Sequence, residues 1–441
     1  MLTSLFKQPR AIFLLAFVQL WNRFSHYGMR ALLLLYMINM QKFPDSMAIA
    51  IFAIYCALTE LGGVLGAYLA EKILGLRPAV MLGGWLIGIG HLLLALELDF
   101  FTALGFVIVG SILYTTNVAT LLGEYYPKGD DRREQGFTIF YMSINVGGFV
   151  ATLLCGFIAE TYGWHLGFGL AAIGMVLANL SLLYFRKHLL GKGEPPPRKK
   201  RSLPSLVLAL ILTLGLAVFA LQQHSISVSL LPWITGGLLL WIFARLNAKT
   251  LIISAIGLII FFVAAEQISS SLLIFADKLG NGSVPAISLL AINPLIIILG
   301  GPLASTILGR IKSPAIRLLI PFTLAAFAFA LLYIVPPGLL LVGSVIGLIS
   351  FAELFVGPLT YSACSEAALT QKDPKIMALV PLGFAMAASL GGLYSQAVAG
   401  DVFDIHRYGN GFGLMALGLL IAGGILAGLR SVRIPKEAVL M

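Results

Sequence analysis

RKHLLGKGEPPPRKKRSLP, residues 186–204, is the one long polar stretch in a chain of 441 residues that is otherwise a succession of apolar runs. Hydrophobic residues make up 59% of the sequence and charged residues only 11%, with a mean hydropathy of +0.96. A soluble domain carries about 25% charged residues, so a protein of this length has too little charge to cover its own surface. A bilayer-crossing helix needs about 20 consecutive apolar residues, and runs of that length recur along the whole chain. Soluble enzymes, secreted disulfide scaffolds and disordered tails are excluded. The fold class is an all-α membrane protein.

Six apolar spans precede the polar stretch, near 11–38, 46–70, 77–97, 100–122, 137–160 and 164–185. Eight follow it, near 205–222, 228–245, 249–275, 284–308, 314–335, 338–364, 376–399 and 406–430. Charge tests this count of fourteen. With the N-terminus inside, 24 of the 29 Lys and Arg fall in inside loops and their flanks. The outside holds Lys42, Lys278 and Arg407, while Arg23 and Arg30 lie within the first span. Cytoplasmic loops concentrate Lys and Arg, so the asymmetry puts both termini in the cytoplasm. It also accounts for the net charge of +10 without a nucleic-acid partner. The spans between 205 and 245 carry no charge within their apolar runs and read as a peripheral hairpin. Setting them aside leaves an N-terminal half, 1–185, and a C-terminal half, 249–441, joined by a linker and hairpin at 186–248. Two six-helix halves of this kind are the architecture of the major facilitator superfamily. The linker itself is expected to be solvated and to touch anionic lipid.

Ionisable groups inside a membrane are costly and mark function. In FVQLWNRFSHYGMRALLLLYM, residues 17–37, the side chains of Gln19, Asn22, Arg23, His26, Tyr27 and Arg30 share one face, an arc of roughly 140° at about 100° per residue. Arg23 lies roughly 18 Å along this helix at 1.5 Å per residue, near the bilayer centre, and requires a wet cavity or carboxylate partners. Only Glu60, Glu266 and Glu353 sit well inside other spans. Acids and arginines from both halves thus share the interior, and cross-half ion pairs that break and re-form are a physical means of alternating access. Gly62-x-x-x-Gly66 is a small-residue contact that lets helices approach closely. Cys56, Cys155 and Cys364 sit in apolar segments as packing residues. The chain has no G-x-x-x-x-G-K-[ST] loop for ATP, and its histidines have no metal-ligand spacing. No enzyme chemistry, cofactor or metal is expected. The Gly-x-Gly of WLIGIGH reads as helix packing, and the N-terminus as a first helix and not a cleaved signal.

Several stretches resemble the proton-dependent oligopeptide transporter family of the major facilitator superfamily. NRFSHYGMRALLLLY, from Asn22, is similar to the family's E-x-x-E-R-F-x-Y-Y-G-M-R segment. LGAYLAEKILGLRPAVMLGG (65–84) and FTIFYMSINVGGFVATLLCGFIAETYGWHLGFG (137–169) resemble its loop between spans 2 and 3 and its signature around span 5. FFVAAEQISSSLLIFA, the Asn293-Pro294 pair and AELFVGPLTYSA match its second half. The resemblance implies that Arg23 and Tyr27 contact a peptide's carboxylate end and backbone, that Glu353 receives its amino terminus, and that Asn145 and Asn293 line the backbone. It implies a gate ion pair between Arg30 and Glu266. Bacterial members carry the inserted hairpin, which points to a bacterial cytoplasmic membrane.

The pattern also breaks. Gln19 and Asn22 replace the family's two glutamates, Thr115 its lysine and Glu60 a tyrosine. An amide cannot carry a proton, so the usual relay is missing from the first half. Three expectations follow. The chain is a secondary transporter of di- or tripeptides or similar zwitterions, coupled to protons through Glu266, with Glu60 as a relocated acid and His26 as a further titratable group. Alternatively it is a gradient-independent uniporter or exchanger, or a peptide-binding receptor that moves nothing. The expected partners are a small peptide, protons and the lipid bilayer, with the protein acting as a monomer.

Overall fold

The computed structural model describes residues 8–127, 130, 132–197, 202–246, 248–280, 286–371 and 374–431. These form fourteen long helices: α1 (Arg10–Asn39), α2 (Asp45–Leu74), α3 (Leu76–Ala95), α4 (Phe100–Gly123), α5 (Arg133–Tyr162), α6 (Trp164–Tyr184), α7 (Leu203–Gln222), α8 (His224–Phe243), α9 (Lys249–Gly280), α10 (Ala286–Arg310), α11 (Pro314–Ile334), α12 (Leu339–Thr370), α13 (Ile376–Ala399) and α14 (Ile405–Ser431). Thirteen are long and apolar enough to cross a membrane. The other, α1, has the length at 30 residues, but its polar stripe offsets its apolar ones. The fold is the expected all-helical one. Helix ends run past the apolar runs where polar residues continue the helix, as at Arg133 in α5 and Thr370 in α12.

The chain separates into two compact units: Met1–Val228 with Pro285–Ile298, and Ser229–Val284 with Leu299–Met441. In the first, α1 lies along α5 and α6, and α3 lies between α4 and α6. Glycines set these distances. A Cβ on Gly66 would overlap the carbonyl of Ile112 in α4, and one on Gly62 would overlap the Ile112 side chain. Asn117 fixes the approach by donating to the Gly66 carbonyl at 3.1 Å and to Leu113 at 2.8 Å. Gly83 and Gly110 meet backbone to backbone, where a Cβ on either would stand 2.6 Å from the other's carbonyl oxygen. Gly90 of WLIGIGH packs the same way, 2.6 Å from the Ala103 carbonyl.

The two hairpin helices pack differently. Leu214 and Val218 of α7 cover Gly105 of α4 in the first unit. Thr235 of α8 reaches the Met386 sulfur of α13 at 3.1 Å in the second. The rest of their surfaces is exposed and apolar, including Trp233 at 80%, as suits helices facing lipid.

The linker departs from a freely solvated tether. Arg77 at the start of α3 pairs with Glu194 at 3.0 Å, donates to the Leu189 carbonyl at 3.1 Å and gives its backbone N–H to Gly193 at 3.0 Å. Glu124, after α4, accepts the Gly193 N–H at 2.7 Å. Gly75 (φ +85°) and Gly193 (φ +61°) adopt left-handed backbone where the two segments touch, a conformation that costs other residues energy. Leu189 is fully buried under this strap. Bonds to α3 and to the end of α4 thus anchor residues 189–194, although the Glu194 side chain stays 47% exposed. The basic residues 198–201 lie outside the described residues. Nearby, Arg132 donates to Asp130 at 2.8 Å and holds its carboxyl down to about 2.

Gly66→Ala forces Ile112 backbone away and is predicted to destabilise the protein by about 1–3 kcal/mol or more, the usual cost of overpacking. Gly215→Ala on α7, with nothing within 4 Å, serves as the control and leaves stability equal or raised. Thermal unfolding of the purified protein in detergent compares the two. Equal midpoints for both variants would remove the glycine seam as a determinant of packing.

Candidate functional site

The site begins with α1, the helix that brings the most polar atoms into the first unit. Its outer faces are occupied by packing. Gly147 of α5 approaches the Leu20 carbonyl, Gly148 lies against the Tyr27 ring, and Gly174 of α6 lies against Phe24 and Trp21. This packing fixes the rotation of α1 and so the direction of its stripe. Gln19 and Asn22 are buried, and Asn22 donates to the Met175 sulfur of α6 at 3.7 Å. The Gln19 side-chain oxygen has no hydrogen-bond partner among the described residues. The two amides that stand in for acids therefore face helix packing in the unit's interior.

Arg23, His26, Tyr27 and Arg30 are half-buried. The Arg23 Nε is buried and has no hydrogen-bond partner among the described residues. The Arg30 guanidinium lies over the Phe52 ring of α2 at 5.6 Å, and the His26 and Tyr27 rings meet edge to face at 5.3 Å. One hydroxyl marks where the charges converge: buried Tyr55 of α2 lies within electrostatic reach of Arg30, Arg23 and Glu60. The structure thus brings Arg23, Arg30 and Glu60 together inside one unit. Glu60 is half-buried two residues before the Gly62 break in α2. Thr115 is half-buried on α4, and Asn145 is buried on α5, where its amide donates to the Tyr141 carbonyl at 3.1 Å. Asn293 also belongs to this unit, half-buried at the start of the long part of α10.

Sequence reasoning passed over His91 and Asn179. Both are fully buried in the first unit, and none of their side-chain polar atoms has a hydrogen-bond partner among the described residues. His91 lies within electrostatic reach of His26. Asn179 fits because α3 offers Gly84 opposite it. A lone histidine amid apolar residues carries no sequence signal of such a neighbourhood.

Glu266 and Glu353 belong to the second unit, both half-buried. Glu266 opens a 3-10 turn, Glu266–Ser269, that interrupts α9. A buried network holds this break. The Gln267 amide donates to the Val263 carbonyl at 2.9 Å and to Gly391 of α13 at 3.2 Å, while its oxygen accepts Ser271 and Ser395 hydroxyls, each at 2.7 Å. Ser270 donates to the Glu266 carbonyl and contacts the Ser395 hydroxyl, each at 2.7 Å. Gly391 lets α13 approach so closely that a Cβ there would stand 3.0 Å from that of Glu266. The orientation of Glu266 is therefore set by α13 as well as by its own helix. The run of three serines after Gln267 was the available signal, since serines inside an apolar span satisfy backbone or neighbouring helices.

A sequence profile of the POT family (PTR2) matches residues 77–336, well over half of the chain. The chain belongs to the POT family. It is therefore a multi-span membrane transporter and not an enzyme, with a fold of the major facilitator type. It is 29% identical over 463 aligned residues to the uncharacterized transporter YclF of Bacillus subtilis, covering 96% of this chain and 93% of that one. It is 27% identical to dipeptide and tripeptide permease A of Salmonella typhimurium, covering 98% and 93%. Among solved structures, a POT family transporter in complex with 5-aminolevulinic acid superposes with a TM-score of 0.83 at 25% identity, covering 95% of each chain.

Gln267→Leu strands two serine hydroxyls and the Gly391 carbonyl in an apolar interior. The predicted loss is about 1–3 kcal/mol of stability, read as a lowered unfolding midpoint. An unchanged midpoint would mean that the break in α9 is held by something other than this network.

Proposed function

We propose that this POT family member is a secondary transporter of di- or tripeptides, or of peptide-like zwitterions, working by alternating access in a bacterial cytoplasmic membrane. The observation that carries the reading is Arg23: a half-buried guanidinium in the middle of a membrane helix whose Nε has no partner among the described residues. Such a group calls for an anion. Around Tyr55, Arg23 and Arg30 face one acid, Glu60, among the described residues, so this part of the first unit offers a surplus positive charge to a carboxylate. The second unit contributes the acids Glu266 and Glu353, the latter suited to an amino group. One anchor of each sign fits a dipolar solute, and an extended peptide between them is recognised through its backbone. The names of relatives agree in class: one is a dipeptide and tripeptide permease, and one structure holds 5-aminolevulinic acid, which has an amino and a carboxylate end.

In this reading Tyr27, Asn145 and Asn293 line the substrate, and Arg30 with Glu266 forms the outer gate. The halves 1–185 and 249–441 carry the pathway, with the hairpin and linker at 186–248 outside it. The Lys and Arg asymmetry supports cytoplasmic termini, and the protein acts as a monomer. Proton coupling runs through Glu266, Glu60 and His26, because Gln19 and Asn22 cannot exchange protons. The packing of Asn22 against Met175 favours a second reading, in which the loss of the acid pair has left a uniporter or exchanger.

Reconstitution in proteoliposomes separates the readings. The coupled transporter accumulates dipeptide when an inward proton gradient is imposed; the uniporter exchanges labelled for unlabelled peptide without one and ignores the gradient. Ligand-induced thermal stabilisation with no exchange at all would instead identify a receptor and reject transport. Two variants refine the test. Glu353→Gln is expected to lower affinity for peptides with a free amino group by about tenfold or more, the loss of a charge-assisted hydrogen bond, while leaving amino-blocked peptides unaffected; unchanged affinity would refute the amino-terminal anchor. Asn22→Glu restores an acid to the stripe and is expected to steepen the dependence of uptake on the proton gradient.

A further inference from the structure

The second unit has a concentration of positive charge that neither the substrate path nor the gate uses. At one end of this unit α9 and α11 begin and α14 ends. Leu318 of α11 and Leu426 of α14 both lie against Gly257 of α9 there, at 3.2 and 3.7 Å from where its Cβ would stand. Just beyond this apolar seam sit two arginines. Arg430, in the last turn of α14, donates through Nη1 to the Ser254 hydroxyl of α9 at 2.8 Å. Arg317, in the first turn of α11, donates through Nε to the Ile311 carbonyl at 2.7 Å. Each guanidinium is therefore tethered by one arm to a different helix or loop. The two lie within electrostatic reach of each other.

Three features of this pair point the same way. Among the described residues neither arginine meets a carboxylate within ion-pair distance. The Arg430 Nε is buried and has no hydrogen-bond partner among the described residues. Arg317 stands in the first turn of α11, where the helix dipole already presents positive charge and disfavours a cation. Two guanidiniums within electrostatic reach of each other and a helix N-terminus, at the level where spans enter and leave the bilayer, form a cationic cradle with no carboxylate in ion-pair distance among the described residues. Their planar N–H forks match the paired oxygens of phosphates and carboxylates, and at the edge of a bilayer the phosphate of an anionic headgroup is the anion at hand.

We propose that Arg317 and Arg430, with Ser254 holding Arg430 in place, form a binding site for a phosphate group, supplied by the headgroup of an anionic phospholipid seated between α9, α11 and α14. Its acyl chains would lie against the exposed apolar surfaces of α11 and α14, such as Ile316, Leu429 and Ile425. Basic pockets between membrane helices are a recognised setting for anionic headgroups. The bound headgroup offsets one of the two positive charges and ties three helices of the unit together at this end. Nothing here depends on what the transporter carries, and binding is read without flux.

The test uses the full-length protein in detergent, with phosphatidylglycerol, phosphatidylcholine and inorganic phosphate added separately, followed by native mass spectrometry and thermal unfolding. The protein is expected to retain phosphatidylglycerol over phosphatidylcholine and to unfold about 3–5 °C higher with it, as a ligand specific to the folded state does. The Arg317→Gln and Arg430→Gln double variant is expected to retain about tenfold less phosphatidylglycerol. If that pair proves too unstable to purify, the Arg317→Lys and Arg430→Lys pair replaces it: it keeps the charge but loses the planar forks, and is expected to retain severalfold less phosphatidylglycerol than the unmodified protein, with undiminished retention counting against the site. Equal stabilisation by inorganic phosphate would support the site and identify a free anion as its ligand. Equal retention of the two lipids by the unmodified protein, with no response to phosphate, would overturn the proposal, as would phosphatidylglycerol retention that the Gln pair leaves unchanged.

Discussion

Keeping two guanidiniums inside a membrane helix is the constraint around which the first unit is built. Hydrocarbon cannot solvate Arg23 or Arg30, so α1 must turn its stripe inward and be held there. The helix cannot do this alone. Gly147 and Gly148 on α5 and Gly174 on α6 hold it from the sides, with the backbone of Leu20, the rings of Phe24 and Trp21 and, at the edge of the stripe, the ring of Tyr27 occupying the space that larger residues would take. Rotating α1 by one residue, about 100°, would expose the arginines to lipid, so the glycines opposite it are as much part of the site as the charges are.

The same logic extends to α2. The Gly62 and Gly66 pair brings α2 against the backbone of α4, and Asn117 closes the approach with two hydrogen bonds. This places Glu60 and Tyr55 beside the stripe. Where the resemblance read from the sequence leads one to expect two acids and a lysine, this chain has Gln19, Asn22, Thr115 and Glu60. Two acids and a lysine amount to one net negative charge, and a single Glu60 amounts to the same, so the charge balance around the arginines is kept while the number of titratable groups falls. Burying unpaired charge is costly, so one acid beside two arginines lowers that cost without requiring that any particular atom carry a proton.

The second unit uses a different device. Proline and serine let membrane helices bend because neighbouring groups satisfy the freed backbone. At Glu266 the break in α9 is filled by Gln267, Ser270, Ser271 and Ser395, a network with partners both within α9 and on α13. A carboxylate at the mouth of such a break is oriented by two helices at once.

The sequence by itself determined the class, the number and order of helices, and the face of α1 that carries the charge, because apolar length and the 3.6-residue period are local properties. The family followed from contiguous motifs for the same reason. What it left open depends on which residues meet across helices. The linker looked free because Glu194 and Arg77 are more than a hundred positions apart, and no period in the sequence relates them. Helix ends at Arg133 and Thr370 escaped notice because hydropathy marks the edge of the lipid and not the end of the hydrogen-bonded coil. His91, Asn179 and the Gln267 network gained meaning only once packing had stripped them of water, since a polar side chain is unremarkable until folding decides whether it keeps a partner.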